Sequence, residues 1–401
     1  MAVVKHAAVA KQVASGKQVA SGKRRALAAA LAVTLLMTLT AGSCGPGEEQ
    51  ADDPAPDVSY QEEAPAPAGT EDPHNRQSVV QVPKGTSPRS VEFADADTGY
   101  ALFSTCVNGQ ACQVGLVITL DGGQSWVPRK VPFDDATEVE MRLGRGNVLL
   151  LRTAPGGWYV SKDTGHTFKQ YPLNPPPPEL NLTEPRFSVG CLDGTVDCAA
   201  RQPMEITDDG KRVALPSHPS GNQRFTSLVA QADGKLWLTA QSVETSGSAP
   251  PMITVSVWSS ADRGRTWRTE GAARLPQQSG VEPHVVVAPD GSDVWLAANQ
   301  FAARRAEGGT WVEASAMREV AEVYSAEVLP GGLLLVASGQ GVWTVDSERR
   351  TRDQGGRLVF RLRRLSETTI LGYPAQQSGE VWLCEVKDRN CEWSRVAVAA
   401  R

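Results

Sequence analysis

The sequence is short of the features that mark several common functions. Its seven cysteines show no Cys-x-x-Cys spacing and its five histidines are scattered, so no zinc site is expected. No basic face stands out against a formal net charge of −5, which speaks against nucleic acid as a partner. Tyrosine is scarce: there are six in 401 residues, and none sits in a recognisable nucleophile context. No apolar run is long enough for a comfortable membrane span; Ala26–Ala41, uncharged and mostly apolar, has only 16 residues. From residue 78 onward no helical period appears, and the nearest case, Ala302–Ala314, is interrupted by Gly308-Gly309.

What is present begins with uneven charge. The first 43 residues hold six Lys or Arg and no acid, ahead of the apolar run. That order suits a secretory signal peptide. The run ends in Leu39-Thr40-Ala41-Gly42-Ser43-Cys44. Small residues directly before a cysteine resemble the lipobox of bacterial lipoproteins, with Ala41 where Leu is commonest. The resemblance implies cleavage before Cys44, a diacylglycerol anchor on it, and a place on the outer face of the cytoplasmic membrane. Between Gly45 and Gln77 there are nine acids and only Arg76, with many Pro and Ala. Such a segment buries too little surface to fold and reads as a disordered tether. The expected organisation is leader 1–43, lipidated cysteine and tether 44–77, and folded domain 78–401.

The other six cysteines fall in three local pairs, Cys106/Cys112, Cys191/Cys198 and Cys384/Cys391. The first two enclose Asn-Gly and Asp-Gly, favoured hairpin turns. Each pair is placed to staple adjacent strands if the two side chains face each other. An even count fits an exported protein.

Ten Trp against eight Phe and six Tyr suggests a tryptophan recurring once per repeat. Three segments match: Thr119-Leu-Asp121-Gly-Gly123-Gln-Ser125-Trp126, Ser161-Lys-Asp163-Thr-Gly165-His-Thr167-Phe168 and Ser260-Ala-Asp262-Arg-Gly264-Arg-Thr266-Trp267. The shared form, Ser/Thr-x-Asp-x-Gly-x-Ser/Thr-aromatic, resembles the Asp-box of sialidases, sortilin-type receptors and photosystem-assembly propellers. An Asp carboxylate accepts hydrogen bonds from turn N–H groups, and Gly supplies the left-handed residue. Asp121, Asp163 and Asp262 are therefore read as turn formers rather than catalysts. Partial copies lie at Asp208, Ala306 and Asp346, and at Asp388, where Asn390 stands for Gly and Trp393 is kept. Successive positions are 42, 45, 54, 44, 40 and 42 residues apart, the period of propeller blades. The expected fold is all-β, a propeller of seven four-stranded blades. Ser78–Pro83 reads as a strand ahead of the first blade, its partner open.

In the resembled family the Asp-box joins the third and fourth strands of a blade, on one face of the disc. On the other face should lie the Cys106/Cys112 hairpin, the run Pro175–Pro178 and the insertion 241–252. Elaborated loops on a rigid scaffold suit binding. A sialidase would also need an Arg triad, a Tyr–Glu nucleophile pair and an Arg-Ile-Pro motif. Ser87-Pro88-Arg89-Ser90 does not match that motif, nor do the Arg-Phe pairs at 186–187 and 224–225. No catalytic residue is named, and no metal or cofactor is implied. The expectation is a monomeric, non-catalytic binder of a protein or glycan ligand, touching the membrane through its anchor alone. An exo-glycosidase of sialidase type is the alternative.

Overall fold

The computed structural model describes residues 74–401 except 108–109, 196–197, 199–200, 222, 245–251, 277–281, 306–309, 321, 347–349, 353–358 and 376–378. Cys44 and the leader lie outside the described residues.

Seven sheets follow one another along the chain. β1 (Asn75–Val80) precedes the first blade, β2 (Ser87–Phe93), β3 (Gly99–Thr105), β4 (Gln113–Thr119) and β5 (Val127–Arg129). The second holds β6 (Glu138–Gly144), β7 (Val148–Ala154), β8 (Gly157–Ser161) and β9 (Lys169–Tyr171), and the third β10 (Phe187–Gly190), β11 (Gln202–Ile206) and β12 (Arg212–Ala214). The fourth is β13 (Arg224–Ala230), β14 (Leu236–Glu244), β15 (Met252–Ser260) and β16 (Arg268–Pro276). The fifth is β17 (His284–Val287), β18 (Val294–Ala298), β19 (Phe301–Arg305) and β20 (Trp311–Glu313). The sixth comprises β21 (Val323–Leu329), β22 (Leu333–Ser338), β23 (Gly341–Val345) and β24 (Arg350–Arg352), and the seventh β25 (Val359–Arg364), β26 (Thr369–Pro374), β27 (Glu380–Lys387) and β28 (Asn390–Ala400). Within each blade the strands are antiparallel neighbours in chain order. First strands of successive blades touch, β13 with β17, β17 with β21 and β21 with β25, which places them around the centre of a seven-bladed propeller.

Burial explains the apolar second strands. Each lies between two neighbouring blades, so both of its faces are covered and period-2 alternation is lost. All six residues of β22 and all five of β18 are buried. The core is accordingly distributed over the blade seams. Tyr100, Leu102, Leu116 and Ile118 of the first blade meet Met141, Leu143, Leu149 and Leu151 of the second. Val91, Phe93 and Phe103 meet Leu371, Leu383 and Val396 across the seam between the last blade and the first. Full burial of one such side chain stabilises by about 1.5–3 kcal/mol.

Two blades depart from four strands. The third has three among the described residues. The chain entering it reads Asn174-Pro-Pro-Pro-Pro178, and proline has no N–H for a ladder. A 3-10 turn, Pro178–Thr183, comes instead, and its Leu182 packs with Val148, Leu150 and Ile206. The seventh sheet has five strands, in the order β1-β28-β27-β26-β25. β1 lies parallel to β28, from Asn75 opposite Arg395 to Val80 opposite Ala400. Ring closure thus joins both ends of the domain in one sheet. Arg76 of β1 also reaches the first blade, donating from Nη1 to the Gly122 carbonyl at 2.8 Å.

The insertion 241–252 is partly strand. β14 and β15 pair through to Glu244 opposite Met252, and residues 245–251 lie outside the described set. The three disulfides are present: Cys106–Cys112, Cys191–Cys198 and Cys384–Cys391, with Cα–Cα separations of 4.2, 5.9 and 5.3 Å.

Candidate functional site

Among the described residues the predicted repeat positions fall after a blade's penultimate strand: 121 between β4 and β5, 163 between β8 and β9, 208 between β11 and β12, 262 between β15 and β16, 346 between β23 and β24, and 388 between β27 and β28; position 306 lies outside the described residues. Alternating strand direction puts all these turns on one face of the disc.

Three of them share one hydrogen-bond set. In the first, Asp121 Oδ1 accepts from Thr119 Oγ1 at 2.7 Å and from Ser125 N at 2.9 Å, while Oδ2 accepts from Ser125 Oγ at 2.5 Å. Thr119 Oγ1 in turn accepts from Gly123 N at 2.9 Å. Asp163 repeats this with Ser161 (2.8 Å) and Thr167 (2.9 and 2.6 Å). Asp262 repeats it with Ser260 (2.8 Å) and Thr266 (2.9 and 2.7 Å). Two consecutive residues are left-handed in each: Gly122-Gly123 (φ 70° and 88°), Thr164-Gly165 (57° and 77°) and Arg263-Gly264 (56° and 79°).

Backbone and hydroxyl donors from Thr266, with Ser260, hold the Asp262 carboxyl down at about 2, and donors from Thr167 hold Asp163 lower still. For Asp121, partial burial works upward but the Ser125 and Thr119 donors outweigh it and bring it to about 2. Carboxylates filled this way have no spare basicity for catalysis.

The aromatics that follow pack backward. Trp126 meets Phe93 edge-on with centroids 6.2 Å apart, and Phe168 packs against the seam of the first two blades. Trp267 Nε1 donates to the Ser217 carbonyl at 3.0 Å, in the connection from the third blade.

Two partial copies differ from expectation. At 208 the neighbouring carboxylate does the local bonding: Asp209 accepts from Thr207 Oγ1 and pairs with Lys211 at 2.6 Å, while Asp208 is exposed toward Arg145 and Arg186. At 388 the chain makes a two-residue hairpin, with Lys387 opposite Asn390. Asp388 itself takes the left-handed conformation (φ 54°) and Asn390 opens β28. So short a loop has no further N–H for the carboxylate to cap. Trp393 is buried beside Cys391 in the seam of the last two blades, and Cys384–Cys391 links the two hairpin strands. Asp95, in Asp95-Ala-Asp97, makes a plain turn, accepting from the N–H groups of Asp97 (3.0 Å) and Thr98 (2.7 Å).

The proline run expected on the opposite face instead reaches the turn face at its end, where Pro178 lies against Gly210 and Asn181 Nδ2 donates to the Gly210 carbonyl at 2.8 Å. The opposite face carries the β3–β4 and β10–β11 disulfide hairpins. There, at the seam of the seventh and first blades, lies a pocket of about 310 Å³ lined by Ser90, Glu92, Phe360, Arg361, Tyr373 and Glu380, among others. Tyr373 donates its hydroxyl to Glu92 Oε2 at 2.6 Å. Arg361 lies 4.0 Å above the Tyr373 ring and 3.8 Å from Glu92. Burial, reinforced by the Glu92 charge, pushes the Tyr373 phenol well above the usual range. Phe360 stacks on Tyr324 with centroids 4.8 Å apart and planes at 25°, and Tyr324 stays 46% exposed. A second pocket of about 280 Å³ adjoins on the other side of β2, sharing Ser90 and reaching Arg89, Ser104, Cys106, Glu138 and Glu140.

Arginines elsewhere on the inner strands are engaged. Arg364 pairs with Glu327 at 3.2 Å, Arg142 with Glu140 at 2.7 Å, and Arg224 with Glu282. Arg363 is different: its Nε and Nη2 are buried and have no hydrogen-bond partner.

Sequence reading did not single out Glu92, Arg361, Arg363 or Tyr373. The Tyr373–Glu92 bond spans 281 residues, so no local motif records it. The available signal was arginine at alternate positions, Arg361-Leu-Arg363, in a first strand of an otherwise apolar repeat.

No family model matches this chain, and no curated protein does. Among solved structures it resembles YCF48 from Cyanidioschyzon merolae, at 12% identity over 76% of this chain and 97% of that one, with a TM-score of 0.39. It also resembles the GH74 xyloglucanase from Xanthomonas campestris, at 16% identity over 78% of this chain and 47% of that one (TM-score 0.29). A third likeness is to virginiamycin B lyase from Staphylococcus aureus, at 12% identity over 78% and 86% (TM-score 0.26). At such scores these likenesses carry nothing about function. The class defined by the fold is a seven-bladed β-propeller of mostly four-stranded blades, with three disulfides and a pocketed face opposite its aspartate turns.

Proposed function

We propose that this chain is an exported propeller, anchored by a lipid on Cys44 to the outer face of the bacterial cytoplasmic membrane, that binds a protein or glycan ligand through its pocketed face without catalysis. The observation that carries the reading is the contrast in chemistry between the faces. The turn carboxylates Asp121, Asp163 and Asp262 are saturated by local donors, whereas the opposite face presents pockets with aromatic and charged walls. Concave sites of mainly apolar wall with a few convergent polar groups are the usual form of small-ligand sites. Three disulfides suit an oxidising compartment outside the cytoplasm.

One observation favours the glycosidase alternative, the Tyr373–Glu92 pair with Arg361 beside it. A tyrosine nucleophile, however, needs access to the phenolate. Here the phenol donates to Glu92, and burial holds its proton on.

The test is a fluorogenic sialoside assay on the full chain, run beside a glycan array and a pull-down from envelope extracts. Binding without turnover is expected. Turnover abolished by Arg361→Gln would sink the binding reading. Mass spectrometry of membrane-extracted protein should find acylated Cys44 at the mature start; an unmodified start refutes the anchor.

A further inference from the structure

Four first strands carry one extra residue where they leave the pocketed face. In the first and fourth blades that residue turns back into its own blade. Arg89 Nε donates to the Ser104 carbonyl at 3.2 Å, and Thr226 Oγ1 meets Thr239 Oγ1 at 2.8 Å. In the sixth and seventh blades it is aromatic. Val323 faces Ser338 and Ser325 faces Ala337, which leaves Tyr324 outside the ladder. Val359 faces Pro374 and Arg361 faces Tyr373, which leaves Phe360 outside. A bulge re-aims the side chain it frees, and bulges are common beside functional sites. Here the two freed rings meet across the blade seam, stacked with centroids 4.8 Å apart and planes at 25°, and Tyr324 stays 46% exposed.

A carboxylate is held at the edge of this shelf. Glu322 takes the left-handed conformation (φ 55°), which is costly for a residue with a side chain. Its Oε2 accepts from the Tyr324 hydroxyl at 3.0 Å. Gly339, in the β22–β23 turn, leaves room for that pair: a Cβ there would stand 2.5 Å from Oε2 and 3.2 Å from the hydroxyl. Glu322 is exposed, and no Lys or Arg among the described residues pairs with it. Arg361, next to Phe360, turns to the other side of β25, toward Glu92 and Tyr373. The shelf is therefore a flat π surface with one uncompensated negative charge at its edge. Aromatic faces attract cations, and a carboxylate matches the planar fork of a guanidinium. Arginine meets both demands at once, stacking by its plane and donating from its edge.

We propose that Tyr324, Phe360 and Glu322 form a site for an arginine side chain presented by a partner protein, the guanidinium lying on the aromatic shelf and donating to Glu322. The inference rests on the ligand-binding reading above and narrows it to a protein ligand.

Calorimetry on the full chain, run into the millimolar range, would compare three capped peptides, acetyl-Gly-Xaa-Gly-Gly-amide with arginine, lysine or citrulline at Xaa. The arginine peptide should bind at least ~10-fold more tightly than the citrulline peptide, which keeps the shape and loses the charge. Lysine should bind less tightly than arginine, because its compact ammonium cannot stack. Glu322→Gln should erase the preference for arginine over citrulline. Glu322→Gly, which also relieves the left-handed strain, should erase it with the thermal midpoint unchanged or higher. A purely structural Glu322 would show the reverse, a lower midpoint with the preference intact. Gly339→Ala, which pushes the carboxylate aside, should weaken arginine binding while Glu322 is still present. Equal affinity for arginine and citrulline, lysine binding as tightly as arginine, no affinity for any peptide, or a preference that survives in Glu322→Gln overturns the proposal. Affinity confined to a glycan overturns it and leaves the binding reading standing, whereas sialoside turnover overturns that reading itself.

Discussion

The two faces of the propeller solve opposite problems with similar residues. On the turn face, Asp121, Asp163 and Asp262 each collect three or more donors from within six residues, and the geometry repeats nearly unchanged. On the other face the charged groups meet across blades, as Tyr373 does with Glu92, and Arg363 is left with buried nitrogens unmatched. Local satisfaction leaves those three carboxylates chemically closed. Long-range, incomplete satisfaction leaves the second open to a partner. Buried polar groups left unpaired cost stability, and they also occur in the blade seams, at Tyr100 Oη, Trp126 Nε1 and Trp295 Nε1.

Perturbing the closure between the ends should have the largest effect on this contrast. Gly123 has φ +88°, and a Cβ there would stand 2.6 Å from Val396 Cγ1 of β28. Gly123→Val should cost ~3 kcal/mol or more through strain and overpacking at the ring seam, measured by urea unfolding. Gly122→Ala, one residue earlier, has looser surroundings, with nearest neighbours at 3.2 Å, and should cost distinctly less. Equal losses at the two sites would remove the closure argument.

Opening Cys384–Cys391 with Cys→Ala at both positions comes next. The bond closes a short loop of sequence separation 7, and its loss should lower stability by ~2–3 kcal/mol on loop-entropy grounds. The turn at Asp388 lacks the carboxylate caps of its counterparts, so the hairpin depends on this link more than the first blade depends on Cys106–Cys112.

Acid should act through the turn face. The carboxyls of Asp121 and Asp262 lie at about 2 in the folded protein, below the ordinary carboxylate value near 4. Their contribution is therefore complete above the unfolded value and is lost as pH falls from about 4 through about 2. Melting of Asp163→Asn should show a lower midpoint at pH 7 and a smaller further loss on acidification than the parent. An unchanged acid response would mean that these carboxylates do not stabilise the turns.

The smallest expected effect separates turn chemistry from turn geometry. Thr164 and Arg263 hold a left-handed conformation that the first turn assigns to Gly122. Thr164→Gly should be neutral or stabilising by ~0.5 kcal/mol, the relief of strain being offset by glycine's chain entropy. A clear loss would show that the Thr164 side chain does more than tolerate its backbone.

Much of the scaffold was legible in the chain because it is built from local rules repeated at a period of 40–54 residues. An Asp caps its own turn within four residues, so Asp121, Asp163 and Asp262 could be assigned without any knowledge of the fold. A pair such as Cys106/Cys112 brackets its own hairpin. Even the decayed position at 346 falls between the last two strands of its blade, since blade length sets the spacing. Legibility failed where one residue's conformation depended on its neighbours' pairing. Asn390 reads as the left-handed residue of a weakened turn, yet the two-residue hairpin moves that duty to Asp388. Asp208 and Asp209 read alike in sequence, and only the positions of Arg145 and Lys211 separate them.

By itself, then, the sequence determined the repeat, the strand-turn-strand chemistry and the pairing of six cysteines, because each is decided within a few residues by hydrogen bonding and chain closure. Tertiary structure alone decided that β1 completes the last blade, that the third blade has three strands among the described residues, and that Arg361, Tyr373 and Glu92 share one seam. Those outcomes depend on how the ring closes, and closure brings together residues almost three hundred positions apart whose mutual distance no local preference can encode.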